Sequence, residues 1–371
     1  MHLEMTSNSI MRVLVNSGNA PAYGGVGVYT KSLMTSLQEF CGERIEVLSD
    51  TISKSATDWR SLHRLQYLAR LARLRHHGYN NAQLVHFTNY YVPKRVRGIA
   101  SVANIYDLDP LFLPDAHSWR YREYFKYIVA KAVKRSHLII SSSEVVREEI
   151  INCFHANPER IVTIGVGLLP AFESLAFKEE RSTPSTPVLL MVGQLHKKKN
   201  TAWFVRTVSS GVKNGALPKM QILLAGRPGY GFAEVEPMLR ENFEVVRWIQ
   251  NPNLAELVRL YCTSSVVAIP SLREGFGIPL LESMYCDKPI VASRIPSTME
   301  IAGDVPYYFD LGSEDSLFNA IKEALRDPFA DKRRFSSRER LERYSWSNLA
   351  LRHERVYRSA LHLSRSDVNG K

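Results

Sequence analysis

The sequence predicts an α/β protein built from two doubly wound domains that face each other across a cleft. Three observations lead there. From Met11 onward, short runs rich in Val, Ile and Leu alternate with longer helical patterns, which calls for parallel strands joined by crossover helices. Beyond residue 168 a stretch with three prolines and many Ser and Thr breaks the alternation. After it the same grammar begins again.

In the first half the strand candidates are MRVLVNSG (11–18), IEVLS (45–49), QLVHFTN (83–89), IASVANIYD (99–107), HLIISSS (137–143) and RIVTIGVG (160–167). Each is too short for a helix and rich in residues that suit a buried pleated surface. LPAFESLAFKEERSTPSTP (169–187) has no strand pattern and reads as a linker. The second half offers PVLLMVGQL (187–195), MQILLAGR (220–227), FEVVRWI (243–249), SVVAIPS (265–271) and PIVAS (289–293). The expected division is an N-terminal domain (1–168), a linker (169–186), a C-terminal domain (187–345) and a last helix (346–371) that crosses back to the first domain. Ligands of such sheets bind outside the carboxyl ends of the strands, so chemistry is sought there.

Bulk properties narrow the partners. Apolar residues make up 45% and charged residues 23%, which suits a soluble globular protein. Lys plus Arg number 48 against 37 Asp plus Glu, and a net charge of +11 favours anionic partners. No zinc-finger or RNA-recognition pattern is present, so nucleic acid is not expected. Cys41, Cys153, Cys262 and Cys286 form no CxxC pair and read as reduced thiols. MHLEMTSNSIM lacks the apolar core of a signal peptide, and no apolar run approaches a membrane span. The expectation is a cytoplasmic protein with at most peripheral membrane contact. From Trp59 to Tyr106 there is no Asp or Glu, and WRSLHRLQYLARLARLR (59–75) is patterned as a basic-flanked helix. It would suit an anionic membrane surface, or simply pack on a sheet.

Four places invite chemistry. Gly24, Gly25 and Gly27 lie where a strand gives way to a helix whose apolar positions are Tyr29, Leu33, Leu37 and Phe40. Backbone amides there could meet a diphosphate, although such turns are often only turns. Second, a strand ends at Gly193, and Lys197, Lys198 and Lys199 precede Asn200, which reads as an N-cap. A lysine before a helix N-terminus is a phosphate ligand, or a solvated loop cation. Third, in REGFGIPLLE (273–282), Glu274 and Glu282 have seven residues between them. Gly275, Phe276 and Gly277 would cross the cleft, with the amides of Phe276 and Gly277 free for a ligand. Carboxylates at such positions suit pairs of sugar hydroxyls; the alternative is a helix cap and a surface acid. Fourth, a strand ends in Tyr106 and Asp107, which would line the cleft, or Asp107 would merely cap the next segment of chain.

Taken together these residues resemble the retaining glycosyltransferases of family four, with the GT-B fold of two Rossmann-like domains. The likeness runs from about Met11 to Leu361 and is strongest in PSLREGFGIPLLESM, which carries a Glu-x7-Glu motif at Glu274 and Glu282. The resemblance implies that Glu274 holds the transferred sugar, Glu282 the ribose and Lys199 the diphosphate. It also implies that Gly24, Gly25 and Gly27 form the N-terminal glycine loop. This chain departs at Tyr106, where the family often has His, at Gln194, where many members have Arg, and at Asp287, where a glycine is usual. The loss of Arg puts phosphate charge on Lys199 with Lys198, and Asp287 is expected to tolerate a left-handed backbone. The reaction implied is metal-independent transfer from a nucleotide diphosphate sugar, with no cofactor. Mannose from GDP-mannose and a glycan or lipid-linked acceptor are the substrates expected. Rival readings are a nucleotide-sugar epimerase, a glycan phosphorylase and a non-catalytic nucleotide-sugar-binding subunit.

Overall fold

The computed structural model describes residues 10–17, 25–49, 81–92, 98–182, 184–326 and 331–369. Gly24 and the basic stretch 59–75 lie outside the described residues.

Two parallel sheets form, one from each half of the chain. The first has the order β2-β1-β3-β4-β5-β6. Its strands are β1 (Met11–Asn16), β2 (Ile45–Ser49), β3 (Leu84–Phe87), β4 (Ala100–Ile105), β5 (Leu138–Ser141) and β6 (Ile161–Thr163). Every residue of β3, β4 and β5 is buried, as strands covered on both faces require. The second sheet has the order β12-β11-β10-β7-β8-β9. It contains β7 (Val188–Val192), β8 (Gln221–Ala225), β9 (Val246–Ile249), β10 (Val266–Ile269), β11 (Ile290–Ser293) and β12 (Tyr307–Phe309). The three-residue β12 is too short to leave an alternation, and its pattern alone did not predict it.

Helices cover both sheets. In Gly25–Cys41, Tyr29, Leu33 and Leu37 are buried as their spacing predicts. Phe40, expected on that face, is 40% exposed, and Cys41 takes the i+4 place instead. Within the stretch read as linker, Pro170–Lys178 folds as a helix that starts on its proline and buries Phe172 and Ala176. Phe172 meets Tyr261 edge-on, 5.6 Å between centroids.

The final helix, Trp346–Asn369, packs on helix Gly25–Cys41 and on β4 of the first sheet. Trp346 Nε1 donates to Leu168 O at 2.6 Å, and Arg352 donates to Thr163 O and Ile164 O. Under this helix runs a buried polar chain. His353 Nδ1 is 2.7 Å from Leu349 O, so that nitrogen carries the proton and Nε2 accepts from Tyr29 OH at 2.8 Å. His86 Nε2 donates to Asn104 Oδ1 at 2.9 Å, so its Nδ1 accepts from Tyr357 OH at 2.8 Å. Asn104 Nδ2 then donates to Tyr106 OH, which donates to Thr88 O. Each donor meets an acceptor only if both rings are neutral.

Burial pushes the imidazole of His86 down to about 4 and that of His353 down to about 3, from an ordinary 6.5. Both stay neutral in the fold while an unfolded chain takes up protons below about pH 6.5. Stability is therefore lost as pH falls from there toward 4, by ~1.4 kcal/mol per pH unit for each ring. Glu282 and Asp107, raised in the fold to about 7 and about 6, take up protons over the same range and oppose this, so the measure is a difference: between about pH 6.5 and 5 the wild-type urea midpoint should fall relative to that of His353→Gln. Midpoints of the two proteins that run parallel over that window would contradict the neutral relay.

Candidate functional site

In the second sheet the strand order reverses between β7 and β10, which are neighbours. The crevice at their carboxyl ends is where such a fold leaves room for a ligand. The segment after β7 brings Gly193 and the turn Lys197–Lys199; the segment after β10 brings Ser271, Arg273 and Glu274. Lys199 Nζ meets Glu274 Oε1 at 2.5 Å, and the Ser271 hydroxyl donates to the same oxygen at 2.6 Å. The lysine stem runs against Gly193. Glu274 is buried, and burial alone would raise its pKa. The charges of Lys199 and Lys198, with the two hydrogen bonds, outweigh that and hold the carboxyl below its ordinary value.

Lys198 serves the other half of the chain. Its Nζ meets Asp109 Oδ2 at 2.5 Å, and Arg273 Nε meets Asp109 Oδ1 at 3.0 Å. Arg273 also pairs with Glu149 and lies 4.1 Å from the centre of the Phe112 ring. Burial works against the charge on Lys198, but Asp107, Asp109 and Glu274 raise its pKa above normal. Asp107 is pushed up to about 6, by burial first and the charge of Asp109 next, with Lys198 opposing. Its Oδ1 accepts from Asp109 N at 3.3 Å.

Gly275 closes the two halves on each other. A Cβ there would lie 2.1 Å from Tyr106 O and 2.8 Å from Asp107 Cβ, so no side chain fits. Gly275 O accepts from Ser143 Oγ at 2.8 Å, and Ser142 Oγ lies 2.9 Å from it. Gly277, with φ +95°, turns the chain into helix Ile278–Tyr285 at a conformation that favours glycine. Phe276 points into the core, edge-on to Tyr344 at 5.0 Å. Glu282 sits on the helix and accepts from Tyr261 OH at 2.6 Å. Burial pushes its carboxyl up to about 7, against the hydrogen bond and Lys199.

The structure thus brings Lys198, Lys199, Asp107, Glu274 and Gly275 together, with Glu282 beside them. Tyr106 is present, but its hydroxyl is committed to Thr88 and Asn104. Gly25 opens its helix, and among the described residues nothing lies within 4 Å of where a side chain would project. Asn200 follows the lysine turn in the left-handed conformation and makes no side-chain cap, and Asp287 is left-handed as expected. Gln194 donates to Pro228 O. Sequence reasoning missed Asp109, Arg273, Ser142, Ser143 and Tyr261. Asp109 and the serines stand within the runs IYDLDP and SSSE, but nothing local tells that they reach the other half. Among the described residues no cluster of three His, Cys, Asp or Glu side chains is placed to hold a metal ion.

Residues 186–327 match the family model "Glycosyl transferases group 1", and residues 23–168 match "Glycosyltransferase Family 4". The O-antigen chain mannosyltransferase B of Escherichia coli is 24% identical over 254 residues, covering 66% of this chain and 65% of that protein. The O-antigen chain mannosyltransferase RfbU of Salmonella typhimurium is 25% identical over 256 residues, covering 69% and 68%. The chain thus spans about two thirds of the length of these curated relatives. Anabaena HepE, solved with UDP and glucose, superposes with a TM-score of 0.68 at 15% identity, over 94% of this chain and 100% of that one. That likeness is one of fold, the GT-B arrangement of two parallel six-stranded sheets.

Since Tyr261 donates to the charged form of Glu282, Tyr261→Phe should move the carboxyl titration further above 7. Carbon-detected NMR of the glutamate carboxyls would read it. A midpoint that stays put would remove Tyr261 from the site.

Proposed function

From a chain that is a group 1 glycosyltransferase of the family 4 type, we propose a retaining, metal-independent hexosyltransferase. It moves a sugar from a nucleotide diphosphate sugar to a glycan or lipid-linked acceptor in surface polysaccharide or glycolipid synthesis. The observation that carries this is the Lys199–Glu274 pair at the carboxyl ends of β7 and β10, 2.5 Å apart. Before donor binds, each group balances the other. With donor in place, Lys199 meets the diphosphate and Glu274 faces the sugar, where positive charge develops as the bond to phosphate breaks. Glu282 accepts the ribose hydroxyls. The acceptor oxygen bonds to the anomeric carbon on the face that the phosphate leaves, and its proton passes to a phosphate oxygen. Lys199, Lys198 and helix N-termini supply the positive charge a metal would otherwise bring. Mannose from GDP-mannose is the donor favoured, because the O-antigen relatives are named mannosyltransferases. Asp107 and Tyr106 complete the cleft from the first half.

Glu274→Gln keeps the shape but not the charge, and turnover should fall by ~2–4 kcal/mol in barrier, while the donor still binds. Transfer from GDP-mannose to a polysaccharide acceptor, followed in EDTA, reads both points. Unchanged turnover sinks the role of Glu274, and an absolute need for magnesium sinks the metal-free reading.

Peripheral contact with an anionic membrane is the localisation we favour. Among the described residues no helix is long and apolar enough to cross a membrane. Helix Trp119–Arg135 buries Phe125, Val129 and Ala132. Its other side carries Arg120, Tyr124, Tyr127, Lys131 and Lys134 at i, i+4, i+7, i+11 and i+14, beside exposed Trp119. Lys131 lies over the Tyr127 ring, 3.7 Å from its centre. Aromatics interleaved with cations suit the lipid interface, at ~1 kcal/mol per basic residue. Sedimentation with phosphatidylglycerol vesicles should show binding that salt weakens and that Lys134→Glu with Tyr127→Ala removes. Equal binding to neutral vesicles, or none at low salt, would refute it.

A further inference from the structure

Four aromatic rings stand together beside the ion pairs of the cleft. His117 and Tyr121 belong to the first half, His196 and Tyr230 to the second. The His117 centroid is 5.4 Å from Tyr121, 5.8 Å from His196 and 6.5 Å from Tyr230, the last pair lying within 20° of parallel. His196 and Tyr230 are 6.0 Å apart. Tyr230 is 53% and Tyr121 41% exposed, and both histidines are half-buried. The group is tied to the site already described. His196 Nδ1 accepts from Lys198 N at 3.2 Å, and Lys198 reaches on to Asp109.

The chemistry of these rings narrows what they would hold. Leaving large rings in water forgoes the gain of burying them, so a contiguous exposed set points to a ligand. None of the four side chains is aliphatic, which disfavours a lipid chain. Burial pushes both imidazoles below their ordinary pKa, so neither ring offers an anion a positive charge. Ring faces offer flat apolar surface to the C–H face of a pyranose, and the ring edges offer hydrogen bonds to its hydroxyls. Because His196 Nδ1 accepts, its proton is on Nε2, which has no partner among the described residues. The Tyr230 hydroxyl and the His117 ring nitrogens have none among them either. Rings from both halves meet only when the halves are together, so the platform forms with the closed cleft.

We infer that His117, Tyr121, His196 and Tyr230 form a carbohydrate subsite at the mouth of the cleft that receives the acceptor's sugar ring. This rests on the transfer reaction proposed above and adds where, and on what surface, the acceptor sits. Tyr230 is the residue to test, since it is exposed and touches neither Glu274 nor Lys199.

Saturation-transfer NMR with the methyl glycosides of mannose, glucose, galactose, rhamnose and N-acetylglucosamine, in the presence of GDP or UDP, reads the subsite directly. At least one glycoside should bind and shift the ring signals of His117 and His196. Tyr230→Ala should weaken that binding about fivefold to tenfold, and Tyr230→Trp should restore it. Nucleotide affinity, measured by calorimetry on the same proteins, should stay the same in all three. No glycoside binding, or binding that Tyr230→Ala leaves intact, overturns the subsite. An equal loss of nucleotide affinity in Tyr230→Ala also overturns it, by making the rings a brace for closure. Wild-type protein that binds no nucleotide at all would instead strike at the transfer reaction itself.

Discussion

Two lysines enclosed between the halves of this chain set the terms for everything around them. An ammonium that has lost part of its water needs opposite charge beside it, and neighbouring carboxylates supply it. Glu274 answers Lys199 from the same half, while Asp109 answers Lys198 from the other. Arg273 then needs its own partners, and Asp109 and Glu149 supply them. Asp107, buried first of all and then crowded by Asp109, is left as the carboxyl pushed up toward neutrality. In the transfer reaction proposed above, an entering phosphate would replace a carboxylate as the partner of a charge already in place.

Closure of the halves uses different physics from the charges within. Gly275 meets the Tyr106 backbone at a distance that admits no side chain, and the hydroxyls of Ser142 and Ser143 hold its carbonyl. Glu300 from the second half accepts from Glu144 N and Val145 N, capping a helix of the first. The contacts at Gly275 are of backbone and short polar groups, which lose little entropy on forming. The last helix strengthens the first sheet from outside, and its relay through His86 and Asn104 holds Tyr106 in place. The Tyr106 ring is thus fixed in part by residues of the last helix.

Much of the fold was legible because buried parallel strands must be continuous apolar runs, and eleven of the segments read from the sequence contain the strands β1 to β11. Boundaries drifted where a loop kept the apolar character of its strand, as in residues 160–167, of which only Ile161–Thr163 is strand. Helix Pro170–Lys178 was hidden by the prolines that flank it, although Phe172, Leu175 and Ala176 carry its spacing. Phe40 shows the opposite error: a large apolar residue at near-helical spacing, left in solvent by the angle between 3 and 4 residues.

For the site, the spacing of Glu274 and Glu282 was enough by itself to mark an acid at a strand end, a glycine turn and a helix carrying a second acid. That information is local, since turn chemistry and helix starts depend on residues a few positions apart. Which acid meets which lysine is not local. Lys199 lies 75 residues from Glu274, and Lys198 lies 89 residues from Asp109. Only the strand order that puts β7 beside β10, and the contact of one half of the chain with the other, brings them within reach. The same holds for Tyr261 on Glu282 and for the ring cluster of His117 and Tyr230. The sequence alone determined the elements and their chemistry. The tertiary structure decided the partners, because charge and hydrogen bonding act over ångströms in space and not along the chain.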